Sequence, residues 1–213
     1  MKTDDLVALL ATGAGSVESN AAARRYAASL GWGAFGATLL MAILIGVRPD
    51  IDTAALLPMF WIKLAFPAAV AVGSLLAASR LSRPGARLAW IPGALVAPVL
   101  AMWLLFAYVL LGAPPSERVE LVMGSTWEYC LYYIPTLSIP VLVATLWAMK
   151  GLAPTRLSLA GAAAGLLAGA IGALIYALHC PEMEAPFIGV WYAAAMLIPT
   201  MAGALLGPIV LRW

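Results

Sequence analysis

The stretch 155-TRLSLAGAAAGLLAGAIGALIYALHCPEMEAP-186 decides how the chain is read. One arginine, Arg156, stands at its start, and an apolar run of helical length follows with Gly161, Gly165, Gly169 and Gly172 along it. The run ends abruptly at His179-Cys180-Pro181-Glu182. About 20 apolar residues carry a helix across a hydrocarbon core of ~30 Å. The stretch is therefore a membrane span that delivers a thiol, the chain's single histidine and an acid to one surface.

The same pattern recurs along the whole chain. Of 213 residues, 64% are hydrophobic and 10% charged, where a soluble domain carries about 25% charged residues. Spans are predicted near 26–47, 57–79, 88–111, 128–149, 157–178 and 187–211. The expected fold is an all-α membrane protein, a six transmembrane helix bundle with short loops. Residues 1–25 form a cytoplasmic amphipathic segment and residues 26–213 the transmembrane domain. Pro67, Pro92, Pro98, Pro135, Pro140, Pro199 and Pro208 fall inside the runs; neighbouring helices can satisfy the carbonyls they free, so kinks are expected. Met1 to Asn20 lacks the basic start and continuous apolar core of a cleavable signal peptide.

Basic residues give the orientation. Lys2, Arg24, Arg25, Arg80, Arg83, Arg87, Lys150, Arg156 and Arg212 fall on one side, and only Arg48 and Arg118 on the other. The positive-inside rule places the first side, with both termini, in the cytoplasm. The acids Asp50, Asp52, Glu117, Glu120, Glu128, Glu182 and Glu184 sort to the outer side. Trp127, Trp191 and Trp213 lie near the interfaces, as an aromatic belt should.

Residues able to carry chemistry are few. Cys130 opens the fourth span and Cys180 closes the fifth. Counted from the turn between Lys150 and Arg156, the thiols lie 20 and 24 residues away, rises of about 30 and 36 Å. They reach similar depth on the outer face, which is oxidising in a bacterium. Three readings stay open: a disulfide, packing of two small residues, or a soft or borderline divalent ion (zinc- or cadmium-like) held transiently by Cys130, Cys180, His179 and a carboxylate such as Glu182. Lys63 lies within the second span, ~10 Å from its outer edge. It either snorkels to the surface or has a buried partner, for which Glu128 is the expected residue. Gly161, Gly165 and Gly169, with Gly203 and Gly207, mark close helix approach. Thr3 can cap a short helix with Asp4 and Asp5 in its first turn and Leu6, Leu9 and Leu10 on one face. Gly13 and Gly15 interrupt it, and Ser16 or Asn20 starts the next helix. With one histidine, no nucleophile motif, no phosphate loop and no paired intramembrane carboxylates, the chain does not read as a hydrolase, kinase or ion-driven pump. Lys63 and the prolines leave a small transporter or channel as the alternative class.

Several landmarks together point to a family. They are Met1-Lys2-Thr3-Asp4-Asp5-Leu6, Arg24-Arg25, Phe60-Trp61-Ile62-Lys63, Arg83-Pro84-Gly85, and Trp127 with Cys130. His179-Cys180-Pro181-Glu182, Trp191-Tyr192 and Leu211-Arg212-Trp213 complete the set. The chain resembles, over its whole length, the NrsF family of negative regulators of SigF-type extracytoplasmic-function sigma factors. The resemblance implies a multi-pass protein of the bacterial inner membrane that binds such a sigma factor, not nucleic acid directly, and is not an enzyme. It implies that the outward Cys130 and Cys180 respond to heavy-metal or oxidative stress, with no cofactor required. Sigma binding would then fall to the cytoplasmic part, with Asp4, Asp5, Leu6, Leu9 and Leu10 the candidate contacts. Residues 1–25 contain no histidine or cysteine, so this contact differs from that of the zinc-dependent soluble anti-sigma class.

Overall fold

A computed structural model describes residues 3–12 and 20–212 of the chain. Lys2, Gly13, Gly15, Ser16 and Trp213, each given a role above, lie outside the described residues. The described residues form helices α1 (Thr3–Thr12), α2 (Ala21–Leu44), α3 (Ile51–Ala54), α4 (Pro58–Leu81) and α5 (Ile91–Gly112). These are followed by α6 (Arg118–Met123), α7 (Trp127–Lys150), α8 (Leu157–Ala177), α9 (Ala185–Phe187) and α10 (Ala193–Val210). A π-helical turn, Ile188–Tyr192, joins α9 to α10. Six helical stretches are long and apolar enough to cross a membrane, with α9, the π turn and α10 acting as one. The first begins at Ala21 with Asn20 at its N-cap, one of the two expected starts, and Ala21–Arg25 lead into the span. Pro67, Pro98, Pro135, Pro140, Pro199 and Pro208 lie inside helices, while Pro92 sits in the first turn of α5.

α8 is the centre of the bundle and packs on α10, α7 and α4. Its small residues explain why. A Cβ on Gly161 or Gly165 would run into the carbonyl oxygens of Gly203 or Pro199 on α10. From the other side, a Cβ on Gly207 would meet the Leu157 carbonyl. Further along α8, Gly172 meets α7, where a Cβ would stand 2.8 Å from the Ile134 carbonyl oxygen. Here the glycines let two backbones touch, as small-residue seams do in membranes. Most of α8 is buried and almost none of α5. α5 instead exposes Leu100, Trp103, Leu104, Tyr108 and Leu111, the outward apolar side expected of a helix facing lipid.

The helices alternate in direction, so the bundle has two distinct ends. At one, the basic end, Arg25 Nη2 donates to the Trp147 carbonyl at 3.1 Å and Tyr26 meets Ser82. Arg83, Arg87 and Arg156 line one cavity there. At the other, the thiol end, the loop after α2, the start of α4, the start of α7 and the end of α8 converge. The charge sorting read from the sequence is thus a property of the fold.

Candidate functional site

The segment from Leu178 to Glu184 links α8 to α9 without helical structure, because Pro181 and Pro186 bar a continuous helix across it. Such a segment must find partners for its backbone groups elsewhere. The loop after α2 provides some of them: Arg48 N donates to the Leu178 carbonyl at 3.1 Å, and Arg48 Nη1 donates to the Cys180 carbonyl at 3.3 Å. His179 Nδ1 lies 2.9 Å from the Gly46 carbonyl. α4 provides Lys63, whose Nζ donates to the carbonyls of Cys180 at 2.7 Å and Glu182 at 2.8 Å.

Lys63 is completely buried. Neither expectation for it holds in full. It does not snorkel, and its partner is not Glu128, which is exposed in the first turn of α7. Two backbone carbonyls of the 178–184 segment take its protons instead, because that segment leaves them without helical partners. The ring of Tyr192 lies 5.7 Å from Nζ and adds a cation–π contact.

Cys130 and Cys180 are both free and both fully buried. Their thiols stand close enough to interact with each other, so the similar depth read from the sequence is matched by lateral proximity. Cys130 Sγ also lies 3.8 Å from the Tyr176 hydroxyl. Tyr192 is fully buried, its hydroxyl has no partner of conventional hydrogen-bond geometry, and it borders the Cys180 thiol. Tyr133 and His179 stack around Tyr176, with ring centroids 6.1 and 5.9 Å away. Cys180, outside the helices, is the thiol that gives up its proton first. The interaction with the Cys130 thiol holds it below the ordinary thiol range; burial opposes this, and the Lys63 ammonium reinforces it. A lowered thiol pKa is the usual mark of a reactive cysteine.

His179 and Glu182 are not brought to the sulfurs as ligands. Glu182 Oε1 accepts from Ser125 N at 2.9 Å, Ser125 Oγ at 2.8 Å and Thr126 Oγ1 at 3.2 Å, and so fixes the entry to α7. Among the described residues, no three of His, Cys, Asp and Glu stand together as a set able to hold a metal. The donors that do meet are two sulfurs, a set that suits a soft ion or disulfide formation better than four-coordinate zinc.

Sequence reasoning missed Tyr176, Tyr192, Gly46 and Arg48. Tyr176 carried a faint signal, one helical turn before Cys180. The other three are joined to the site only by tertiary contact.

The comparisons with known proteins bear on what this site serves. The family model described as negative regulator of sigma F matches residues 10–213. The chain belongs to the NrsF family. Over the full length of both proteins it is 57% identical to a probable anti-sigma-F factor NrsF of Azospira oryzae. It is 39% identical to the anti-sigma-F factor NrsF of Caulobacter vibrioides, again over the full length of both. No solved structure matches. Membership of NrsF makes the chain one of a regulatory family rather than a catalytic one.

Proposed function

We propose that the chain is a multi-pass anti-sigma factor of the bacterial inner membrane. It holds a sigma factor of the extracytoplasmic-function type on its cytoplasmic side. It releases that factor when Cys130 and Cys180, facing outward, meet heavy-metal or oxidative stress. The observation that carries this reading is the pair of free, buried thiols close enough to interact, at the end opposite most of the arginines, in a chain of the NrsF family. α1 supports the sigma contact: Leu6, Leu9 and Leu10 are exposed, with Asp4 and Asp5 in the same first turns.

The switch is a shift in population between a holding and a releasing conformation. A stimulus moves such an equilibrium only by its differential affinity for the two states, and going from 1:99 to 99:1 takes about 5.5 kcal/mol. Oxidising two thiols, or bridging them with one soft ion, acts on a site already assembled. Lys63 weighs against the transporter reading: a fully buried lysine that donates to two carbonyls offers nothing to a passing solute.

The test is a sigma-dependent reporter in cells carrying Cys130→Ser/Cys180→Ser. The reporter should rise with cadmium or diamide in the parent and stay flat in the variant. A normal response in the variant would leave the bundle as an anchor only. A chain starting after Arg25 should no longer co-purify with the sigma factor; continued binding would move the contact to the basic loops.

A further inference from the structure

The length of α2 separates the thiol end from the basic end where α2 starts, and α2 and α4 both run between them. The 178–182 segment is gripped by the loop that follows α2, through Gly46 and Arg48, and by α4, through Lys63. Below this grip α2 packs chiefly on α7, and α4 on α8 and α5. At the basic end a cavity of about 450 Å³ opens between α2 and α4, lined by Tyr26, Leu30, Leu75, Ser79 and Ser82 among others. There one short bond joins the two helices. The Tyr26 hydroxyl and Ser82 Oγ are 2.6 Å apart and both residues are buried. Ser82 Oγ gives its own proton to the Ala78 carbonyl at 2.8 Å, so Tyr26 is the donor to Ser82. Lys63 and Ser82 are 19 residues apart on one continuous helix and its cap, a span of about 28 Å.

Disulfide formation would pull on this frame. The two thiols lose two protons and two electrons to an azo oxidant such as diamide, whose N=N bond becomes HN–NH, and an S–S bond forms. The sulfurs close to about 2.05 Å. Cys130 is on the regular helix α7, while Cys180 is in the non-helical segment. The segment gives way first, and it carries the two carbonyls that hold Lys63.

We propose that Lys63 is the positioning residue that converts closure of the Cys130–Cys180 pair into a shift of α4 against α2, read out at the Tyr26–Ser82 bond. Tyr26 lies in the second turn of α2, the helix that follows the N-terminal segment. The bond therefore stands where a change would reach the sigma-holding residues. This inference rests on the sensing reading above and adds the route by which the signal crosses.

The experiment uses the full chain in lipid nanodiscs, with amide hydrogen exchange followed before and after diamide, and thiol status read in parallel by mass. In the parent, disulfide formation should raise exchange in residues 22–30 and 76–83 by about tenfold, the size of a local opening. In Lys63→Met the disulfide should form while exchange at these residues stays unchanged, and Lys63→Arg, which keeps a cation able to reach both carbonyls, should restore the response. Tyr26→Phe removes one hydroxyl and decides the matter if Lys63→Met does not accumulate. Residues 22–30 and 76–83 should then exchange fast already in the reduced protein, with little added by diamide. An equal response in Lys63→Met, or a parent-like response in Tyr26→Phe, overturns the route and leaves sensing intact. Failure of the parent to form the disulfide, together with a flat reporter, sinks the sensing reading and this inference with it.

Discussion

At the thiol end, the 178–184 segment is held from four sides: by Gly46, Arg48, Lys63 and the Ser125–Thr126 turn. At the basic end, among the described residues, α2 and α4 share one hydrogen bond beside a cavity of about 450 Å³. The thiol end fixes reactive groups in place, since two buried sulfurs keep their contact only if the irregular backbone beneath them cannot wander. At the basic end, among the described residues, α2 and α4 are tied to each other by the Tyr26–Ser82 bond beside that cavity, so a small displacement between them finds little resistance. The difference suits a protein that detects at one end and yields at the other.

The glycine seam of α8 and α10 is common to both ends, and breaking it should have the largest effect. Gly165→Val would drive a side chain into the Pro199 carbonyl, an overpacking cost of about 3 kcal/mol. Thermal unfolding in detergent should show the loss, and thiol burial and basic-end protection should fail together. If one end survived the other's melting, the ends would be independent units and the comparison would fail. Next in size is Glu182→Ala, which removes three hydrogen bonds at the start of α7; the Ser125 donors are exposed and turn to water, so the cost is about 1 kcal/mol. Cys180 should then alkylate faster, with exchange around Tyr26 unaltered in the reduced protein.

The two sulfurs themselves should be unequal. Cys180 is held below the ordinary thiol range by Cys130 and Lys63, so it should take a small alkylating reagent before Cys130 does. Its rate should level off at a pH below the ~8.5 of an ordinary thiol and fall as the pH drops through its own lowered value. The sign for stability follows: between these two values the unfolded chain binds more protons, so stability rises with pH across that window. Equal labelling of both sulfurs at every pH would remove the asymmetry.

What was legible in the sequence was what composition and spacing can encode. Apolar run length gave six spans, the Gly161, Gly165, Gly203 and Gly207 spacing gave the seam, and counting from Lys150 and Arg156 put the thiols at one height. What stayed hidden depended on which side chain turns to which backbone. Lys63 was matched to Glu128 because a carboxylate is the usual partner of a buried ammonium; the structure gives it carbonyls because the prolines around Cys180 leave carbonyls unpaired. The π turn at Ile188–Tyr192, which includes Tyr192 of the thiol site, has no signature in composition or periodicity.

The smallest expected effect separates what holds the thiol end from what merely decorates it. Arg48 forms a two-pronged ion pair with Asp50, at 2.8 Å from Nε and 2.6 Å from Nη2. The guanidinium keeps the Asp50 carboxyl below its usual range, yet Asp50 is solvent-exposed, and exposed pairs contribute little to stability. The Arg48 bonds that reach the site are the others, from Nη1 to the Cys180 carbonyl and from its backbone N to the Leu178 carbonyl. Asp50→Asn should therefore leave thiol labelling and melting unchanged within error, with salt having no added effect. Arg48→Ala should speed Cys180 alkylation, though less than Glu182→Ala does, because Lys63 still holds the same carbonyl. If Asp50→Asn loosened the thiols as much as Arg48→Ala, the clamp would extend to the surface, and the thiol end would be less sealed than its burial implies.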